Sequence, residues 1–73
     1  LWKKKNKIKI KINGKNLSIK SNTSVNDQLL TLKIPIKKVA IEINRKILDK
    51  KKLKNTLLKN GDKIEIVHFI GGG

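Results

Sequence analysis

Apolar and polar residues alternate strictly from Lys7 to Ile12, reading Lys-Ile-Lys-Ile-Lys-Ile. Side chains of a strand point to opposite faces in turn, so Ile8, Ile10 and Ile12 share one face and the lysines the other. Asn13-Gly14 follows, the dipeptide of a two-residue hairpin turn whose central positions both need positive φ. Leu17 and Ile19 then alternate with Asn16, Ser18 and Lys20. The pattern predicts an opening β-hairpin, apolar on one side only.

The period then changes. Ser21 to Ser24 are turn and cap formers, and Ser24 with Asp27 three residues on fits a helix start resembling a capping box. Val25, Leu29 and Leu32 recur at helical spacing with Leu30 alongside, and Pro35 stops the helix and biases Ile34 towards extended backbone. A helix of two to three turns is not stable alone, so it is expected to lie on the sheet. Val39, Ile41 and Ile43 alternate with Ala40 and Glu42 as a third strand, Asn44 to Lys46 form a turn, and Ile47-Leu48 make at most a short fourth strand. Residues 49–60 are lysine-rich and read as a loop with a helical turn, anchored by Leu53, Leu57 and Leu58. Asn60-Gly61-Asp62 is a second tight turn, and Ile64 and Ile66 alternate with Lys63 and Glu65 in a last strand running towards His68. The order β-β-α-β-(β)-β, with an apolar sheet face and one helix to cover it, is a two-layer α+β arrangement.

The length of 73 residues fits one small domain spanning 1–73. A domain this small buries only about 60% of the surface its unfolded chain exposes, which leaves little space for a deep, walled pocket. There is no cysteine and a single histidine, His68, so neither a disulfide framework nor a His/Cys metal cluster can be built. The lack of cysteine favours a reducing, cytoplasmic setting. No apolar run reaches bilayer length, and Leu1-Trp2-Lys3-Lys4-Lys5 has no apolar signal core behind it. No nucleophile with a base, shielded carboxylate pair or phosphate loop is evident, so catalytic residues of its own are not expected. Glu42, Asp62 and Glu65 read as solvated or turn residues, and Trp2 as a packing residue near the terminus.

The net charge is +14, almost all from lysine. Such a charge fits a nucleic-acid or anionic-membrane partner. Lys, Asn and Ile are enriched together while Arg is nearly absent, a bias that AT-rich coding produces without any partner. Nucleic-acid readers favour Arg for bidentate contacts and aromatics for stacking, and here Trp2 and Phe69 are the only aromatics. A nucleic-acid role is therefore the weaker reading, and docking on acidic protein surfaces is the alternative use of the lysines.

The last segment, Asn60-Gly61-Asp62-Lys63-Ile64-Glu65-Ile66-Val67-His68-Phe69-Ile70-Gly71-Gly72-Gly73, resembles the C-terminus of the ThiS family of sulfur carriers. Val39 to Asn44 resembles that family's middle strand and turn, and Val25 to Pro35 its helix and following proline. The resemblance implies a ubiquitin-like β-grasp: a mixed sheet of four to five strands packed on one short helix, with the first and last strands parallel at its centre. Three positions depart from the family pattern. Arg45 follows Asn44 where glycine is common, Lys33 stands where a glycine often ends the helix, and Leu53 replaces a frequent aromatic.

A glycine tail has a chemical logic of its own. Without β-carbons it can thread a channel too narrow for side chains, and its terminal carboxylate is unhindered. Residues 70–73 are expected to form a flexible tail. A bare carboxylate is a poor electrophile, and the resemblance implies its activation with ATP by a ThiF-like adenylating enzyme, giving an acyl-adenylate at Gly73. Sulfur from a persulfide donor would then give a thiocarboxylate at Gly73 and pass to a ThiG-like thiazole synthase in thiamine biosynthesis. In that scheme Gly71 and Gly72 thread the partner's channel, and Phe69, Ile70 and His68 meet its surface. Carriers for molybdopterin synthesis and tRNA thiolation share the activation step, as does a covalent protein modifier. A basic RNA-binding module is the rival of a different class, and it gives the glycine tail no purpose.

Overall fold

The computed structural model describes residues 7–69. Strands β1 (Lys7–Ile12) and β2 (Lys15–Lys20) are followed by helix α1 (Val25–Thr31), then β3 (Val39–Ile43), β4 (Lys46–Ile47) and β5 (Lys63–His68). Short 3-10 helices span Ile36–Lys38 and Lys50–Asn55. The strands form one five-stranded sheet in the order β2-β1-β5-β3-β4. β1 and β5 are parallel neighbours at its centre, and the remaining pairs are antiparallel.

The core follows from the alternation. Ile10 and Ile12 of β1, Val39 and Ile41 of β3, and Ile64 and Ile66 of β5 are all buried on one face of the sheet. Val25 and Leu29 of α1, with Leu53 and Leu58, cover them. The 3-10 helix at Lys50–Asn55 packs against α1 and supplies Leu53 to this layer. The opposite sheet face carries no covering element among the described residues.

Both hairpin turns contain two residues in the left-handed region, Asn13 (φ 49°) with Gly14 (φ 82°) and Asn44 (φ 52°) with Arg45 (φ 71°). Positive φ at both central positions matches the right-handed twist of the flanking strands. The second turn is two residues long, because Lys46 pairs with Ile43 as part of β4, one residue earlier than the sequence pattern placed that strand.

The helix starts as expected: the Asp27 amide donates to Ser24 Oγ at 3.0 Å. It ends differently. Lys33 adopts φ 60°, its amide donates to the Leu30 carbonyl, and the Ile34 amide donates to the Leu29 carbonyl, both at 3.0 Å. This is a Schellman close with Lys33 in the position that glycine usually fills. The backbone therefore turns before Pro35 is reached, and α1 is two turns long. Its buried face is Val25, Gln28 and Leu29, while Leu30 and Leu32 are 58% and 40% exposed. Leu57 is likewise 49% exposed. It lies in a short antiparallel bridge to Ser24, where alternation turns its neighbour Leu58 inward.

Candidate functional site

Everything sequence reasoning assigned to chemistry lies on β5 or beyond it, so the way β5 is held matters first. On one side it pairs with β3 from Ile64 to His68. On the other it pairs with β1 only through Ile64, because β1 turns away at Asn13. The Asn13 side chain then continues the ladder. Its Oδ1 accepts from the Ile66 amide at 2.7 Å, and its Nδ2 donates to the Ile66 carbonyl at 3.3 Å. The side chain thus stands in for a missing strand residue.

Two further turns grip the start of β5. Asn44 Oδ1 accepts from the Lys63 amide at 3.0 Å, and Asn44 Nδ2 donates to Asp62 Oδ1 at 3.1 Å. Asp62 Oδ2 accepts from the Lys59 amide at 2.8 Å. Asn60 Oδ1 accepts from the Lys9 amide at 2.8 Å. Asp62 is therefore a structural turn residue, as its neighbours in sequence implied. Each turn asparagine satisfies backbone groups that neighbouring strands leave unpaired.

Register sorts the side chains at the far end of β5. Directly opposed residues share a face, and Val67 opposes Ala40 while His68 opposes Val39. Lys63, Glu65, Val67 and, by continuation, Phe69 line the open face. His68 has the parity of the core residues Ile64 and Ile66 but is itself exposed. The structure therefore does not bring His68 and Phe69 together, since they leave the strand on opposite faces. Phe69 is 56% and Val67 57% exposed. The Phe69 amide donates to the Lys38 carbonyl at 2.9 Å, which extends the pairing with β3 by one rung. Lys50 Nζ lies 5.2 Å from the centre of the Phe69 ring, within cation–π range.

Ala40, Val67 and Phe69 thus form an apolar edge on the open face, while Ile47, 78% exposed on β4, stands opposite Glu42. Sequence reasoning found Phe69 and missed the others. The available signal was Val67, an apolar residue immediately after buried Ile66 and so on the outward parity. Ile70, Gly71, Gly72 and Gly73 lie outside the described residues. Among the described residues, no group of three His, Asp or Glu side chains is placed to hold a metal ion, and no helix is long and apolar enough to cross a membrane.

A mixed sheet with parallel central strands, one helix across its covered face, and a central strand leading to an exposed aromatic and a glycine run define the ubiquitin-like β-grasp class. The structure matches that of the thiamine biosynthesis protein ThiS from Geobacter metallireducens with a TM-score of 0.80 at 29% identity, covering 90% of this chain and all of that one. The ThiS family model matches residues 4–73. The sulfur carrier protein ThiS of Bacillus subtilis is 37% identical over 65 residues, 88% of this chain and 98% of that protein. The thiazole synthase of Paramagnetospirillum magneticum is 38% identical over 66 residues, which is 90% of this chain and 20% of that protein. The chain therefore spans about a fifth of the thiazole synthases it resembles. It belongs to the ThiS family.

Proposed function

We propose that this chain is a sulfur carrier for thiazole formation in thiamine biosynthesis, acting as a single cytoplasmic domain and as a co-substrate rather than an enzyme. Family membership supports the carrier role. The observation that carries it is the run Val67-His68-Phe69-Ile70-Gly71-Gly72-Gly73 issuing from a central strand that is fastened on both sides. The fastened strand fixes where the tail begins, and residues 70–73 act as the tail.

In this reading the Gly73 carboxylate attacks the α-phosphorus of ATP on a ThiF-type enzyme, and pyrophosphate leaves. The terminal sulfur of a persulfide donor attacks the acyl carbon, and AMP leaves. A thiol then cleaves the resulting acyl disulfide and releases the thiocarboxylate. Gly71 and Gly72 let the tail pass a narrow channel. Phe69 and Ile70 seat against the partner, with Val67 and Ala40 extending that contact, while His68 meets the partner from the other face of β5. A thiazole synthase is the receiving partner best supported, because two thiazole synthases contain a segment resembling this chain.

The test is chain-dependent exchange of pyrophosphate into ATP by a purified ThiF-type enzyme. Exchange that requires the chain and is lost on deleting Gly73, with the thermal transition unmoved, is the expected result. Exchange that persists without Gly73 would overturn the assignment of the reacting group.

A further inference from the structure

The open sheet face is graded in charge along the strands. Lys7, Lys9 and Lys11 of β1 and Lys63 of β5 all project from it and are exposed. Lys20 of β2 opposes Lys7, and Lys11 opposes Lys63. Arg45, the single arginine of the chain, borders a shallow hollow with Lys63 and Glu65 on this face. Farther along come Glu65 and Glu42, which oppose each other, and then the apolar Val67, Ala40 and Phe69. From Lys63 to Phe69 the strand covers about 20 Å at ~3.3 Å per residue.

Like charges directly opposed across strands are destabilising, so the lysine cluster gains nothing from the fold that holds it. Its place on the face that carries the apolar patch means that one partner lying over that patch also reaches the lysines. The row of Glu65 and Glu42 between the two zones opposes a continuous polyanion running along the face. A protein surface with separate patches matches the grading.

We propose that the open face docks on a protein partner bearing an acidic patch about 20 Å, by the strand rise used above, from the site that seats Phe69. The inference rests on the carrier reading, and it assigns Lys9, Lys11 and Lys63 to recognition of the activating enzyme. Exposed complementary charges act mainly on encounter and on salt dependence, so the effect belongs in KM for the carrier and not in kcat.

The experiment measures chain-dependent pyrophosphate exchange by the ThiF-type enzyme of the source organism between 50 and 300 mM NaCl. The wild type is compared with the triple variant Lys9→Glu, Lys11→Glu, Lys63→Glu. The control is Lys51→Glu, Lys52→Glu, Lys54→Glu, which makes the same charge change on the 3-10 helix packed against α1. Circular dichroism checks that both variants fold. The expected result is a KM raised about tenfold or more by the first triple at low salt, with kcat held, a flattened salt dependence, and a change of about twofold or less in the control.

Equal effects of the two triples would reduce the phenomenon to net charge and overturn the proposal. A wild-type KM indifferent to salt would also overturn it while leaving the carrier reading intact. If the first triple leaves exchange unchanged but abolishes salt-dependent binding of a single-stranded RNA oligonucleotide, the face belongs to nucleic acid and the proposal fails. Absence of exchange with every variant and the wild type would refute the carrier reading itself, and the inference with it.

Discussion

Replacing Asn13 by glycine isolates the side-chain clamp on β5. Glycine accepts the φ of 49° found at this position without steric cost, so the turn keeps its backbone and loses only the amide group. Two hydrogen bonds disappear, one at 2.7 Å and one at 3.3 Å. The shorter contributes about 1 kcal/mol and the longer about 0.5 kcal/mol on the usual net scale for protein hydrogen bonds. Added backbone freedom in the unfolded chain contributes roughly another 0.5 kcal/mol. The sum is about 2 kcal/mol, a large part of the stability of a domain this size, and it corresponds to a fall in Tm of about 8–16 °C. Thermal and urea melts read the global effect. Amide hydrogen exchange reads the local one: the Ile66 amide should lose protection more than the Val67 amide next to it, which faces β3. A loss of stability below about 0.3 kcal/mol, with Ile66 exchange unchanged, would refute the argument that Asn13 substitutes for a strand residue.

Other substitutions probe separate elements. Lys33→Gly removes a left-handed lysine that costs about 1–2 kcal/mol; after the entropy cost of glycine the variant should gain about 0.5–1 kcal/mol, seen as a higher urea midpoint at unchanged m-value. Leu53→Ala empties a side chain that is 2% exposed between the sheet and α1, and should cost about 2–4 kcal/mol in the same melt. Phe69→Ala should shift stability by no more than about 0.5 kcal/mol, since the ring is 56% exposed, while KM for the activating enzyme rises; an unchanged KM would remove Phe69 from the partner contact.

The strands were legible because one face of the sheet is buried and the other is not. Alternation in Lys7 to Ile12 and Lys63 to Ile66 marks that asymmetry directly. The parallel pairing of β1 with β5 was not legible from alternation, which is blind to which strands adjoin; it came from resemblance to a known family. The helix end was misjudged for a physical reason. Pro35 is a conspicuous stop, but the Schellman close at Lys33 acts first, and lysine there gives no outward sign of positive φ. Leu30, Leu32 and Leu57 are apolar without being core, because a sheet this small has room beneath it for only Val25, Leu29, Leu53 and Leu58. At the candidate site, Phe69 was visible as the last aromatic before the glycines. Its separation from His68 onto opposite faces follows from strand alternation, whereas the Asn13 clamp and the approach of Lys50 depend on contacts between distant segments, which no local pattern encodes.

Sulfur carried on Gly73 changes the mass of the C-terminal peptide, and that mass is the measurement to make. The natural protein is incubated with a ThiF-type enzyme, ATP and a persulfide donor, and the peptide containing Phe69 to Gly73 is fragmented. A sulfur carrier shows a mass gain equal to one oxygen replaced by sulfur, localised to Gly73 and dependent on both ATP and the donor. A tail that stays unmodified under those conditions, or a gain that maps to Trp2 as oxidation, would contradict the carrier role.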